Sequence, residues 1–310
     1  MNTGNDLYPS WIGLDDIAYS FAPGDQGGND GCVGHIPAHG GTRLPFACRG
    51  HASSDSIANV NWPSVSADAR VAYVWELLRA GTKRPDSAFL FVQPAADTGT
   101  PREVLRFPYA IPGVDLYTSA THVGWLNADT IIAVAVGDVL IRDCAGCAFR
   151  YVRSGRAVIL LDISATSPTP VIVSGTTAAS AVTPGPTGHD FYYTLTGDSS
   201  VYHRDLTGGS AVTTYDFGAA GIARDPQLAG NRLVAIVGGN VVPHVDPIAG
   251  LVQEDFGGPI HLVDLVSGTD STLPTSGLLY RHPALSRTGG ALVVEGWSGG
   301  LADLWFIELP

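Results

Sequence analysis

Lysine is almost missing from this chain: Lys83 is the only one, and the other basic residues among the 17 are arginines. Charge of either sign is scarce at 15%, and acidic residues outnumber basic ones 29 to 17, giving a net charge of −12. The basic side chains are scattered, so nothing in the sequence can neutralise a run of phosphates, and nucleic acid is excluded as a partner. A partner surface is expected to be neutral or basic, with binding that weakens in salt. No apolar run approaches the roughly 20 residues of a membrane-spanning helix, so no transmembrane segment is predicted. Residues 1–16 contain neither a basic n-region nor an apolar h-region, and no signal peptide is predicted in this chain. With 45% hydrophobic residues evenly spread, the low charge also excludes a disordered chain.

Turn-forming residues, by contrast, are plentiful. The 38 glycines and 21 prolines make up nearly a fifth of the 310 residues, a density hostile to long helices. An all-β fold follows. Cys32 and Cys48 lie equally far from Gly40 in the segment CVGHIPAHGGTRLPFAC, so a hairpin turning at His39, Gly40 and Gly41 sets the two cysteines opposite each other, within disulfide reach. Cys144 and Cys147 form a C-A-G-C between two strand-like runs, VLIRDC and CAFRYV. The βαβ context of a redox motif is not visible around them. We therefore expect two structural disulfides and, with them, an oxidising compartment, periplasmic or extracellular.

Self-similarity organises the rest. Residues 63–74 (PSVSADARVAYV) align without a gap on 283–294 (PALSRTGGALVV), and 123–136 and 226–237 fit more loosely. Each is followed by a second strand leading to an acidic position; Asp162, Asp205, Asp264 and Glu308 recur 43, 59 and 44 residues apart. A period of about 45 with variable insertions indicates four-stranded propeller blades. Six units are expected in a single domain, roughly 13–50, 57–110, 120–176, 186–217, 222–275 and 280–310. The last contains only three strands, so residues 8–12 (YPSWI) are expected to supply the fourth and close the ring, removing an exposed sheet edge. Insertions are expected at 22–31, 76–86 and 240–258.

The two best units resemble the TolB-type propeller repeat, in which Pro-x-Trp-Ser-Pro-Asp-Gly leads into a strand. Pro63, Ser66 and Asp68 match it, as do Pro283, Ser286 and Gly289, while Ala67 and Arg287 stand where the second proline would be. Asp303, Leu304 and Trp305 match the family's following strand. No counterpart of TolB's own α/β domain is visible. The resemblance implies a six-bladed β-propeller, usually extracytoplasmic and usually binding rather than catalytic.

Residues 296–300 (GWSGG) fit the G-x-S-x-G nucleophile elbow that prolyl-oligopeptidase-type enzymes couple to a propeller, but no histidine follows, and the context reads as a strand hairpin. His35 and His39 flank a turn and lack the H-E-x-x-H pattern. In the loop from Gly24, Asp25, Asn29 and Asp30 lack the spacing of an EF-hand. The stronger candidates emerge from the repeat, at the start of each innermost strand, where side chains line the mouth of the axial channel. These are Asp15 and Asp16, Asn61 and Trp62, His122 and Trp125, His189 and Asp190, Arg224 and Asp225, and Arg281 and His282. They form either a structural polar ring or a ligand site. The arginines suit a carboxylate or peptide terminus, whereas His122, His189 and His282 with Asp190 or Asp225 suit a divalent cation. The expected function is that of a non-enzymatic binding propeller with a protein partner, as an interaction or accessory subunit of an envelope or membrane-associated complex. The alternative is a metal-dependent carbohydrate-active enzyme, since oligogalacturonate lyases are similar propellers with a histidine-rich metal site.

Overall fold

The computed structural model describes residues 6–21, 31–49, 56–79, 85–95, 100–110, 116–141, 150–239, 241–246, 250–255, 257–274, 277–298 and 301–310. Strands account for most of them; six antiparallel sheets form a ring, and two two-stranded hairpins, one of them Tyr109–Ala110 with Leu116–Tyr117, lie beside it. Blade 1 comprises Asp6–Ile12, Asp16–Phe21, Gly31–Pro37 and Leu44–Arg49; blade 2 comprises Ser56–Val65, Arg70–Arg79, Pro85–Pro94 and Arg102–Phe107. Blade 3 follows with Ser119–Trp125, Thr130–Ile141, Arg150–Asp162 and Val171–Ile172, and blade 4 with Ala179–Pro184, Asp190–Leu195, Ser200–Asp205 and Val212–Asp216. Blade 5 is Ala223–Ala229, Arg232–Val237, Ile260–Asp264 and Thr269–Thr272, with the hairpin Val241–Asp246 and Gly250–Asp255 inserted after its second strand. Among the described residues blade 6 has three strands, Leu279–Leu285, Ala291–Ser298 and Leu301–Glu308. The six first strands touch one another in cyclic order and surround the axis.

The recurring residues of the sequence repeat turn out to be turn chemistry. Ser66 Oγ accepts the Arg70 N–H at 2.9 Å, and Ser286 Oγ accepts the Ala291 N–H at 3.0 Å, each fastening the turn from first to second strand. Asp162, Asp205 and Asp264 end third strands, and each carboxylate accepts backbone N–H groups of the turn that follows: Ser164 at 2.9 Å, Thr207 at 2.7 Å and Val266 at 2.8 Å. These are Asx turns, and the hydrogen bonds hold all three carboxyls below the usual carboxylate pKa. Between the turns, blades stack on both faces. That explains why Ile131–Val136 is buried at every position instead of alternating.

Two expectations are corrected. Residues 8–12 do not complete blade 6. They belong to Asp6–Ile12, which pairs with Asp16–Phe21 and is the innermost strand of blade 1. Residues 76–86 are not all insertion, because the second strand of blade 2 continues through Arg79, pairing Glu76 with Asn59 on one side and with Ala88 on the other. The ELLR run at 76–79 is thus held as a strand by neighbours on both sides.

Cys32 and Cys48 face each other in the third and fourth strands of blade 1 and form a disulfide. Cys144 and Cys147 lie outside the described residues, as do Asp25, Asn29 and Asp30. Residues 296–298 belong to the second strand of blade 6, where Ser298 pairs with Leu301 across a hairpin. Beside the disulfide, Gly31 allows blades 1 and 2 to touch through backbone: a Cβ there would lie 2.5 Å from Val60 N and 2.8 Å from Ala58 O. Gly31→Ala should therefore destabilise the protein by about 1–3 kcal/mol, read as a lowered urea midpoint. An unchanged midpoint would refute the close approach.

Candidate functional site

The site begins with a backbone irregularity repeated around the axis. Each first strand carries a β-bulge against its second strand, and in five of the six blades the bulge holds a non-glycine residue at positive φ: Tyr8 (55°), Trp62 (56°), His122 (51°), Asp225 (48°) and His282 (45°). Bulky residues rarely adopt this conformation. Here it turns each side chain out of the sheet and onto the axis. Proline follows four of the five (Pro9, Pro63, Pro226 and Pro283), and it fits because a bulge leaves a ladder N–H unused.

The five side chains meet and plug the channel. Ring centroids are 4.2 Å apart for Tyr8 and Trp62, 4.1 Å for Trp62 and His122, 4.7 Å for Trp62 and His282, and 4.7 Å for Tyr8 and His282. Across the axis, His122 Nε2 lies 2.7 Å from Asp225 Oδ1. His282 Nδ1 lies 2.7 Å from Glu295 Oε1, which also accepts the Tyr8 N–H at 2.5 Å. Burial pushes the Asp225 carboxyl up, but the hydrogen bond from His122 and the positive charges of His282, His122 and Arg224 outweigh it and hold the carboxyl well below its usual range. Burial raises the Tyr8 phenol far above its ordinary value, and the negative charges of Glu295 and Glu76 add to that.

Beyond the plug, where the first strands end, lies a funnel of about 260 Å³. Trp11, Trp125, Gln227, Pro184 and Arg287 are among its lining residues. Trp11 Nε1 donates to Ala284 O at 2.8 Å and Trp125 Nε1 to Ser64 O at 2.9 Å, so each indole ties its strand to the preceding blade while its ring faces the funnel.

Of the sequence candidates, Trp62, His122, Trp125, Asp225 and His282 converge here. Asn61, Arg224 and Arg281 immediately precede their bulges and serve the walls: Asn61 Nδ2 donates to Glu76 Oε2 at 2.9 Å, Arg224 donates to Gly238 O, and the Arg281 guanidinium lies 4.5 Å from the centre of the Trp297 ring. The other four lie in turns between first and second strands or at the start of second strands. Asp15 is exposed and Asp16 begins its strand. His189 Nδ1 is 2.6 Å from Thr187 Oγ1, and Asp190 receives the Thr187 N–H at 2.9 Å and lies 3.1 Å from His203 Nε2. The displacement has one cause: the short inner strands Asp6–Ile12 and Ala179–Pro184 stood outside the repeat units assigned to blades 1 and 4. Tyr8 and Trp11 lie in the first of these strands, and Tyr8-Pro9 carries the signal seen at Trp62-Pro63 and His282-Pro283; Glu295 lies inside its repeat unit but belongs to no motif. The expected divalent cation would need the histidines, but His122 and His282 are each engaged with a carboxylate, and among the described residues no three His, Cys, Asp or Glu side chains converge as ligands.

Ring, bulges and plugged axis together define a six-bladed β-propeller. No protein-family model matches the chain, and no curated protein sequence matches it. Solved structures do. TolB from Acinetobacter baumannii superimposes with a TM-score of 0.60 at 15% identity over 95% of this chain and 61% of that one. An oligogalacturonate lyase in complex with manganese gives 0.54 at 12% identity over 99% and 78%. The β-propeller domain of the Trilobed protease from Pyrococcus furiosus, which has an open velcro topology, gives 0.50 at 8% identity over 99% and 83%. The chain spans less than two thirds of the TolB length, and these likenesses concern the fold alone. No described helix is long and apolar enough to cross a membrane.

Proposed function

We propose that this chain is a non-enzymatic binding propeller of the TolB-type repeat family, forming one domain, that acts outside the cytoplasm and receives a protein partner at the funnel mouth, as an accessory subunit of an envelope or membrane-associated complex. One observation carries the reading. The ionisable groups on the axis bond to one another, His122 to Asp225 and His282 to Glu295, while the mouth in front of them offers Trp11, Trp125, Gln227 and Arg287. Tryptophan and arginine around a shallow concavity are the residues that anchor protein interfaces, and about 260 Å³ is small for an enclosed small-molecule site. The Cys32–Cys48 disulfide supports an oxidising compartment. Cross-linking in native membranes tests the proposal: the protein should capture a defined partner, and Arg287→Glu with Gln227→Lys should reduce that capture about tenfold or more. Equal capture by the variant would sink the funnel as the contact. The lyase reading rests on the axial histidines, and elemental analysis addresses it: stoichiometric manganese, zinc or calcium in the purified protein would favour the enzyme.

A further inference from the structure

The polar groups around the funnel are of two kinds. On its floor, His122 is engaged with Asp225 and His282 with Glu295, and Asp225 Oδ2 also accepts the His282 N–H at 3.3 Å. At its rim, the side chains of Arg287 and Gln227 make no ion pair or hydrogen bond among the described residues. Arg287 is thus the one charged side chain of the described lining that is not already neutralised. It is exposed in the turn between the first and second strands of blade 6, where the TolB-type repeat has its second proline. The aromatic walls between rim and floor are fixed. The Arg70 guanidinium lies 4.8 Å from the centre of the Trp125 ring, and Trp11 stands edge-on to Phe306 at 6.4 Å. Pro184 and Leu228 add apolar wall, and the axial plug makes the funnel blind.

We propose that the funnel takes the C-terminus of the partner protein: the terminal carboxylate pairs with Arg287, Gln227 bonds the last peptide group, and an apolar or aromatic side chain of the last two residues packs on Trp11 and Trp125. This rests on the funnel being the surface that receives the partner. Three features favour that occupant. A guanidinium matches a carboxylate with two parallel N–H···O bonds, whereas a lysine entering the funnel would find Asp225 already taken by His122 and the His282 N–H. A blind space of about 260 Å³ is below the range of drug-sized pockets; a chain can end in it, but a chain that continued would have to turn and leave again. Walls held in place before binding lose little freedom when the ligand arrives, which favours a small contact. Arg287 is a local exception in a chain of net charge −12. Affinity should therefore depend on the terminal carboxylate itself and not on a high negative charge spread along the partner, which the rest of the surface repels.

Random hexapeptides arrayed with free C-termini and probed with the full chain test this. Binders should be apolar or aromatic in their last two positions. Amidating the C-terminus of a binder should weaken it about tenfold or more, and Arg287→Gln should do the same to the free acid. The two losses should not add, so the amide should bind the variant and the wild type alike. Arg287 is exposed, and an unchanged urea midpoint verifies that the variant keeps its fold. An array without binders overturns the C-terminal assignment, as do additive losses or amides that bind through an aspartate or glutamate side chain. Amides that bind as tightly as acids, yet are lost on Arg287→Glu with Gln227→Lys, would keep the funnel as the contact and overturn only the terminus. Acids whose binding that variant leaves intact would place the carboxylate elsewhere and count against both readings.

Discussion

Replacing Glu295 by alanine is expected to lower folding stability by about 3–5 kcal/mol, the range for breaking a buried ion pair. Glu295 is 0% exposed, and three groups depend on it. Its Oε1 accepts the Tyr8 N–H and faces His282 Nδ1, and its Oε2 accepts the Trp297 indole N–H at 3.3 Å. The Tyr8 contact joins residues 287 apart in sequence, from the first strand of blade 1 to the second strand of blade 6. Glu295 is therefore a fastening of the ring at the seam between blades 6 and 1. Glu295→Gln keeps an acceptor for the Tyr8 N–H and removes the charge, so its loss should be smaller, about 1–2 kcal/mol. Urea denaturation of both variants gives the comparison, and a Glu295→Ala loss below that of Glu295→Gln would contradict the assigned role.

A similar loss, about 2–3 kcal/mol for hydrogen bonds to a buried charge, is expected for Asp225→Asn, and it should depend on pH. Asparagine tolerates the left-handed backbone at this position, so the substitution isolates the charge. Because the folded-state pKa of Asp225 is depressed, its stabilisation is complete above the unfolded carboxylate value of about 4 and is lost as pH falls from there towards the folded value. Thermal melts should accordingly show wild type well above the variant at neutral pH, with the gap narrowing below about pH 4. A gap that widened on acidification would mean that the carboxylate is not stabilised by His122 and His282.

The same bulge residues show how far local sequence carries. Trp62, His122, Asp225 and His282 were legible as channel residues because the repeat that places them, with a proline after all but His122, is local chemistry that recurs within tens of residues. Asp15, Asp16, His189 and Asp190 were read one strand out of phase in blades whose inner strands are short and lie outside the aligned units. Glu295 has no motif at all. It is recognisable only once Tyr8, His282 and Trp297 surround it.

The sequence by itself determined an all-β propeller of six repeats, because turn residues, strand patterning and the Asx and serine turns act over short stretches of chain. It also determined that Cys32 can reach Cys48, because a hairpin is a local structure. The tertiary structure alone decided which strand lies innermost in blades 1 and 4, and that the described residues of the first and last blades meet by packing and hydrogen bonds across the seam. Those outcomes depend on contacts such as Tyr8 with Glu295 and Trp11 with Ala284, between residues 287 and 273 positions apart. No periodicity records them, because they form only when the first and last blades meet.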